Sequence, residues 1–256
     1  MGIPGRLVKL FTQLSNKSIF NITMNLVGID FSINSPSFCC YKDGKYVWGS
    51  LTRSDRSAES HLKSQKKPFF VLNSCEDFHI YFMDKAVLSD DYTERERSKI
   101  LYFNDIVEFM WNRIADIMGD VEYHVAMEGL SFSSNGNALI DISMATALLR
   151  KKILETCGVD KFHVLSPTSI KKYAIKGNAK KDQLYVALAE KYKDDETNLS
   201  NFANMLEFNK IEWITPSMTV NKPIDDIVDA TWIVLYLKDN LRKFYGIKEE
   251  SKKELI

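Results

Sequence analysis

The chain has 256 residues, 45% of them hydrophobic and 27% charged, which excludes a fibrous or disordered protein and suffices for one large α/β domain or a domain with appendages. Its 34 basic and 34 acidic residues cancel, so no global positive field announces a nucleic-acid partner, and any such contact must come from local patches. Four cysteines, Cys39, Cys40, Cys75 and Cys157, form no CxxC pair and no Cys/His zinc spacing, and read as reduced thiols in a cytoplasmic setting.

The opening MGIPGRLVKLFTQLSNKSIF lacks the apolar run and cleavage site of a signal peptide. No later stretch is long enough to span a bilayer, so residues 1–23 read as an N-terminal extension and no membrane is expected. NLVGIDF, residues 25–31, is an apolar strand delivering Asp30 at its C-terminal end. PSFCCYK and KYVWGSL follow as strands around Asp43-Gly44, a hairpin signal, and predict an antiparallel three-stranded start. Residues 52–67 look like an exposed excursion, with two apolar stretches, PFFVLN and FHIYFM, after it. A helix begins at Thr93 and ends at Gly119, with Ile106, Val107, Met110 and Ile114 at helical spacing.

VEYHVAME is a second strand ending in an acid, Glu128, and the polar loop GLSFSSNGN follows it. The next helix, about 138–156, is rich in small residues (Ser143, Ala145, Thr146, Ala147) that admit another helix closely. The strand KFHVLSP, a short helix over 168–174, a break at Gly177-Asn178 and a helix over 179–192 come next. Residues 193–222 are polar and irregular apart from a short helix near 199–208. Pro223 opens a closing helix that runs to about Tyr245 and stops at Gly246, and residues 247–256 form a solvated tail.

The acids carry the chemistry. Asp226 and Asp229 lie three apart on the closing helix and share a face. If the strands ending in Asp30 and Glu128 are neighbours and this helix crosses them, four carboxylates converge into an oxygen-rich site for hard divalent cations. Two such ions about 4 Å apart can clamp a phosphodiester displacement. Mutual repulsion without metal predicts a strained apo site that gains stability when magnesium binds. Each acid alone also fits a turn or helix-dipole role, although Asp229, inside an apolar run, calls for a partner. By spacing alone Asp225, four before Asp229, could replace Asp226.

Between Lys161 and Lys181 there are six lysines and no acid, a local excess suited to phosphates and equally to a solvated helix face. His61, His79, His124 and His163 show no ligand-like spacing. His124 and His163 read as core or edge histidines, with an assisting-base role for His163 given little weight.

VGIDFS, AMEG at a strand end and DIVDA in the closing helix, in that order, resemble the catalytic acids of RuvC-type Holliday junction resolvases. The resemblance covers roughly residues 24–245, most weakly over 41–120 and 193–222. It implies a ribonuclease H-like α/β fold over residues 24–246: a mixed central sheet, antiparallel in its first three strands and then parallel, flanked by helices. It also implies a homodimeric endonuclease resolving four-way junctions or other branched DNA by paired nicks. Two magnesium ions per site, with manganese able to substitute, would be held by Asp30, Glu128, Asp226 and Asp229; the family's D-x-x-D-A pattern favours Asp226 over Asp225. SIKKYAIKGNAKKDQ is similar to the family's basic stretch and implies phosphate-facing roles for Lys171 or Lys172 and for Lys181. Phe132 stands in the loop where the family carries an aromatic, at a slightly different offset. It could wedge between bases or pack into the local core. The small-residue helix resembles the family's dimer contact, a face that the chain's own sheet could equally use. The lysine- and asparagine-rich flavour suits a bacteriophage variant working in the host cytoplasm. Two other classes compete: an actin-like ATPase or sugar kinase, whose second glycine-rich phosphate loop is missing, and a non-catalytic branched-DNA-binding protein.

Overall fold

The first strand sorts the molecule into its layers. In the computed structural model, which describes residues 24–53, 68–130 and 136–244, β1 (Leu26–Asp30) alternates its side chains between two apolar clusters. Val27 and Ile29 face one cluster with Val107, Met110, Trp111, Ile114, Leu149 and Ile153, while Leu26 faces the other with Tyr185, Phe202, Trp232 and Ile233. Strand alternation therefore sends Gly28 and Asp30 to the side of Leu26.

Antiparallel to β1 runs β2 (Ser37–Lys42), and β3 (Lys45–Arg53) returns along β2. Asp43 and Gly44 both take positive φ (49° and 85°) at this hairpin, the backbone twist that a two-residue turn needs. Strand β3 extends to Arg53, two residues into the expected excursion; residues 54–67 lie outside the described part of the chain. PFFVLN forms a short helix, α1 (Pro68–Asn73), and FHIYFM forms β4 (Phe78–Met83), parallel to β3.

The long helix α2 (Tyr92–Met118) starts where Asp91 caps it, its carboxylate accepting from the Glu94 N–H at 2.9 Å. It ends at Gly119, whose N–H reaches the Ala115 carbonyl. Strand β5 (His124–Glu128) then pairs parallel with β1. After α3 (Asn137–Cys157) and a 3₁₀ turn (Val159–Lys161), β6 (Phe162–Leu165) pairs parallel with β5. Strand β6 is shorter than expected because Pro167 is already the first residue of α4 (Pro167–Ala174). Helices α5 (Lys181–Tyr192), α6 (Leu199–Trp213) and α7 (Ile224–Phe244) complete the described residues.

The six strands run in the order β4-β3-β2-β1-β5-β6, a mixed sheet of ribonuclease H-like topology with β4 added at one edge. Helices α2 and α3 cover one face, while α7, backed by α4, α5 and α6, covers the other. The small residues of α3 serve this packing in part, with Ala145 buried among Leu51, Phe103 and Ile106. Helix α6 is five residues longer than the sequence suggests. Leu199, Phe202, Ala203, Leu206 and Trp213 form a buried stripe that the intervening Ser, Asn, Glu and Lys residues obscure.

Candidate active site

Parity and register together gather the acids. Ile29 pairs with Met127, so the next residues along, Asp30 and Glu128, leave adjacent parallel strands at the same height. Both stand on the face of Leu26 and Ala126, which is the face that α7 covers. Gly28 sets how closely the helix lies there: a Cβ at this position would come 2.6 Å from the Ala230 carbonyl oxygen and 2.7 Å from Val234 Cγ2. Trp48 of β3 anchors the same turn, its Nε1–H donating to Thr231 Oγ1 at 2.9 Å inside the core. Asp226, one turn before Ala230, and Asp229, next to Ala230 in the chain, are thus brought within electrostatic reach of Asp30.

The electrostatics follow that geometry. Burial, then the charges of Asp229 and Asp226, hold the Asp30 carboxyl well above the usual carboxylate range. Glu128 is pushed up to about 7, first by burial and then by Asp229, against the opposing pull of Lys171 and Lys181. Asp226 and Asp229 are likewise raised, chiefly by burial. The charges that raise Asp30 most are those of Asp229 and Asp226, and Asp225 in turn raises Asp226. A cleft of about 150 Å³ opens beside Asp30 and Glu128, walled by Gly129, Leu130 and Thr146. A larger groove, about 690 Å³, runs past Trp48, Phe78 and Met205 and holds none of the four acids.

Two ammonium groups answer this negative charge. Lys181 Nζ lies 2.9 Å from Asp229, 3.1 Å from Asp225 and 3.6 Å from Asp226, with 47% of its side chain exposed. Burial alone would lower the Lys181 pKa, but the aspartates prevail and raise it. Lys222 contacts Asp226 directly and Asp225 at 3.2 Å. Ser35 donates to Asp226 Oδ2 at 2.7 Å and is itself tied through its N–H to Ser32 Oγ.

Ser35 and Lys222 escape the sequence reading. The first belongs to the polar turn after Asp30, and the second stands one helical turn before Asp226; position relative to the acids was the available signal. Half-buried Lys171 acts on Glu128, whereas Lys172 beside it is exposed and Lys181 joins the aspartates. Phe132 lies outside the described residues. His163 sits opposite Ala126, two residues short of the level of Glu128, and bonds His124.

No protein-family model matches the chain, and no curated protein matches it. Solved structures do. RuvC of Thermus thermophilus aligns with a TM-score of 0.43 at 14% identity, over 87% of this chain and 98% of that one. T. thermophilus RuvC in complex with a Holliday junction substrate gives 0.43 at 13%, over 87% and 97%. The yeast mitochondrial Holliday junction resolvase Ydc2 gives 0.44 at 14%, over 92% and 90%. Likeness of this degree concerns the path of the chain; the chemistry rests on the residues themselves.

The donor set suits a hard divalent cation: four carboxylates, Asp226 buried and the others half-buried, repelling one another, beside Asp225 Oδ1, a buried oxygen without a hydrogen-bond partner. Among the described residues, no three acidic, histidine or cysteine side chains already form a ready metal cage, and the two lysines supply the positive charge.

Proposed function

We propose that the chain is a magnesium-dependent endonuclease that cuts branched DNA, four-way junctions foremost, with one nick from each subunit of a homodimer. The observation that carries this reading is the convergence of Asp30 and Glu128, at the ends of two neighbouring parallel strands, with Asp226 and Asp229 on the helix crossing them. A pocket of acids is costly for a fold to keep unless cations come to it. Asp30, Glu128, Asp226 and Asp229 would hold two magnesium ions, with manganese as a substitute. When bound, these ions supply Lewis-acid stabilisation and a water acidic enough to attack phosphorus.

The chain's own residues do the rest. Ser35 fixes one oxygen of Asp226, leaving the other free once Lys222 withdraws. Lys181, exposed along half its side chain, turns from the aspartates to the DNA phosphate as their charge is taken up. Lys171, whose charge acts on Glu128, would add a second contact to the DNA phosphates.

The test is cleavage of a synthetic four-way junction against linear duplex at matched salt. Asp30→Asn and Glu128→Gln are each expected to abolish cutting while junction binding survives. Undiminished cleavage by either variant removes the assignment.

A further inference from the structure

The strand that ends in Glu128 begins with a second polar group, one that the nuclease reading does not use. His124 opens β5 on the same face as Ala126 and Glu128, and register sets His163 of β6 opposite Ala126, so both rings project from one face of adjacent strands. His124 Nδ1 and His163 Nε2 are 3.0 Å apart, with ring centroids separated by 5.2 Å and planes tilted by 33°. Beside them Lys161 pairs with Glu122 at 2.9 Å.

We propose that His124 and His163 form a binding site for a divalent transition-metal ion of the zinc or nickel class, with Glu122 as a third ligand when Lys161 releases it. Two nitrogens bound to one ion at about 2.0–2.1 Å, across the angles such ions prefer, stand roughly 3 Å apart. That separation already exists here; the ring that donates the shared proton changes tautomer, carrying its N–H on the other nitrogen, and a small turn of the rings admits the ion between the two freed lone pairs. Burial lowers the pKa of both histidines, helped by Lys161 at His124 and by His124 at His163, so the rings are neutral and able to ligate near pH 7.

Ligand type separates this site from the acids. Imidazole nitrogen suits zinc, nickel and copper, whereas the all-oxygen cluster suits magnesium. Four residues of extended chain, about 13 Å at roughly 3.3 Å per residue, divide His124 from Glu128. A bound ion would clip β5 to β6 without touching the acids.

Equilibrium dialysis of the whole chain against zinc, in excess magnesium to fill the carboxylate cluster, tests the proposal. The wild type is expected to hold one more zinc per chain than His124→Gln or His163→Gln. Lys161→Ala, which frees Glu122, is expected to tighten that zinc about tenfold, the scale on which neighbours tune a metal ligand. Nitrogen-15 spectra of the unsubstituted chain read the same event directly, through zinc-induced shifts at His124 Nδ1 and His163 Nε2. Equal zinc uptake in all three proteins, or ring nitrogens that do not move, overturns the site; no tightening in Lys161→Ala removes Glu122 from it.

Discussion

Gly28→Ala tests whether the sheet-to-helix distance builds the active site. The new Cβ would lie 2.6 Å from the Ala230 carbonyl oxygen, 2.7 Å from Val234 Cγ2 and 2.9 Å from the Val234 nitrogen. Non-bonded heavy atoms settle at about 3.5–4.0 Å, so α7 must rise by about 1 Å. Overpacking of this kind costs about 1–3 kcal/mol. At about 2–4 °C per kcal/mol for a chain of this size, the melting point falls by roughly 5 °C. The loss of activity is larger, because the displaced helix carries Asp226 and Asp229, and an error of about 1 Å in catalytic groups costs about 100-fold in rate. Thermal melts and single-turnover junction cleavage read the two effects separately. Adding Val234→Ala relieves the methyl clash but leaves the carbonyl clash, so recovery should be partial. A Gly28→Ala protein that melts and cuts like the wild type would refute the reasoning.

Ser35→Ala frees Asp226 Oδ2 and is expected to weaken manganese binding by about 10–100-fold in calorimetry; unchanged affinity would show that Ser35 does not orient the ligand. Glu128, with its pKa raised from 4.5 to about 7 in the metal-free fold, keeps a proton there that the unfolded chain gives up. Stability in EDTA should therefore fall as pH rises from about 4.5 to about 7, magnesium should restore more of it at the upper end, and Glu128→Gln should flatten the slope measured by urea titration. A slope unchanged in the variant would show that another group titrates. Lys181→Met removes the cation shared by Asp225, Asp226 and Asp229, so melting in EDTA should fall while magnesium binds more tightly and cleavage drops; weaker magnesium binding would mark the lysine as a structural support.

The acids were legible because their positions obey short-range rules. An apolar run ending in Asp or Glu is a local pattern, and the i, i+3 pair on α7 is another; the antiparallel start of the sheet followed from strands and a hairpin with an Asp-Gly turn, while its parallel half came only from the resemblance. What sequence could not supply was partnership across the chain. Ser35 is an ordinary turn serine until α7 brings Asp226 to it across 191 residues, and His124 and His163 gain meaning only from the register of β5 against β6. PFFVLN resisted assignment because a short apolar run satisfies strand and helix alike, and its context beside β4 settles the matter.

Charge compensation explains how a chain of zero net charge can hold so acidic a pocket. The first turns of α7 carry Asp225, Asp226 and Asp229, and the positive end of the helix favours the first two. That is too little for a group containing Asp30 and Glu128 as well, so the chain brings Lys181 from the start of α5 and Lys222 from just before α7. Both lysines are about half exposed, whereas Asp226 is only 2% exposed. The anions are thus fixed by packing while the cations sit at the solvent edge on flexible stems. A purely structural ion cluster gains nothing from such asymmetry. The proposed nuclease has a use for it, because only the positive partners would have to leave when metal ions come to the carboxylates.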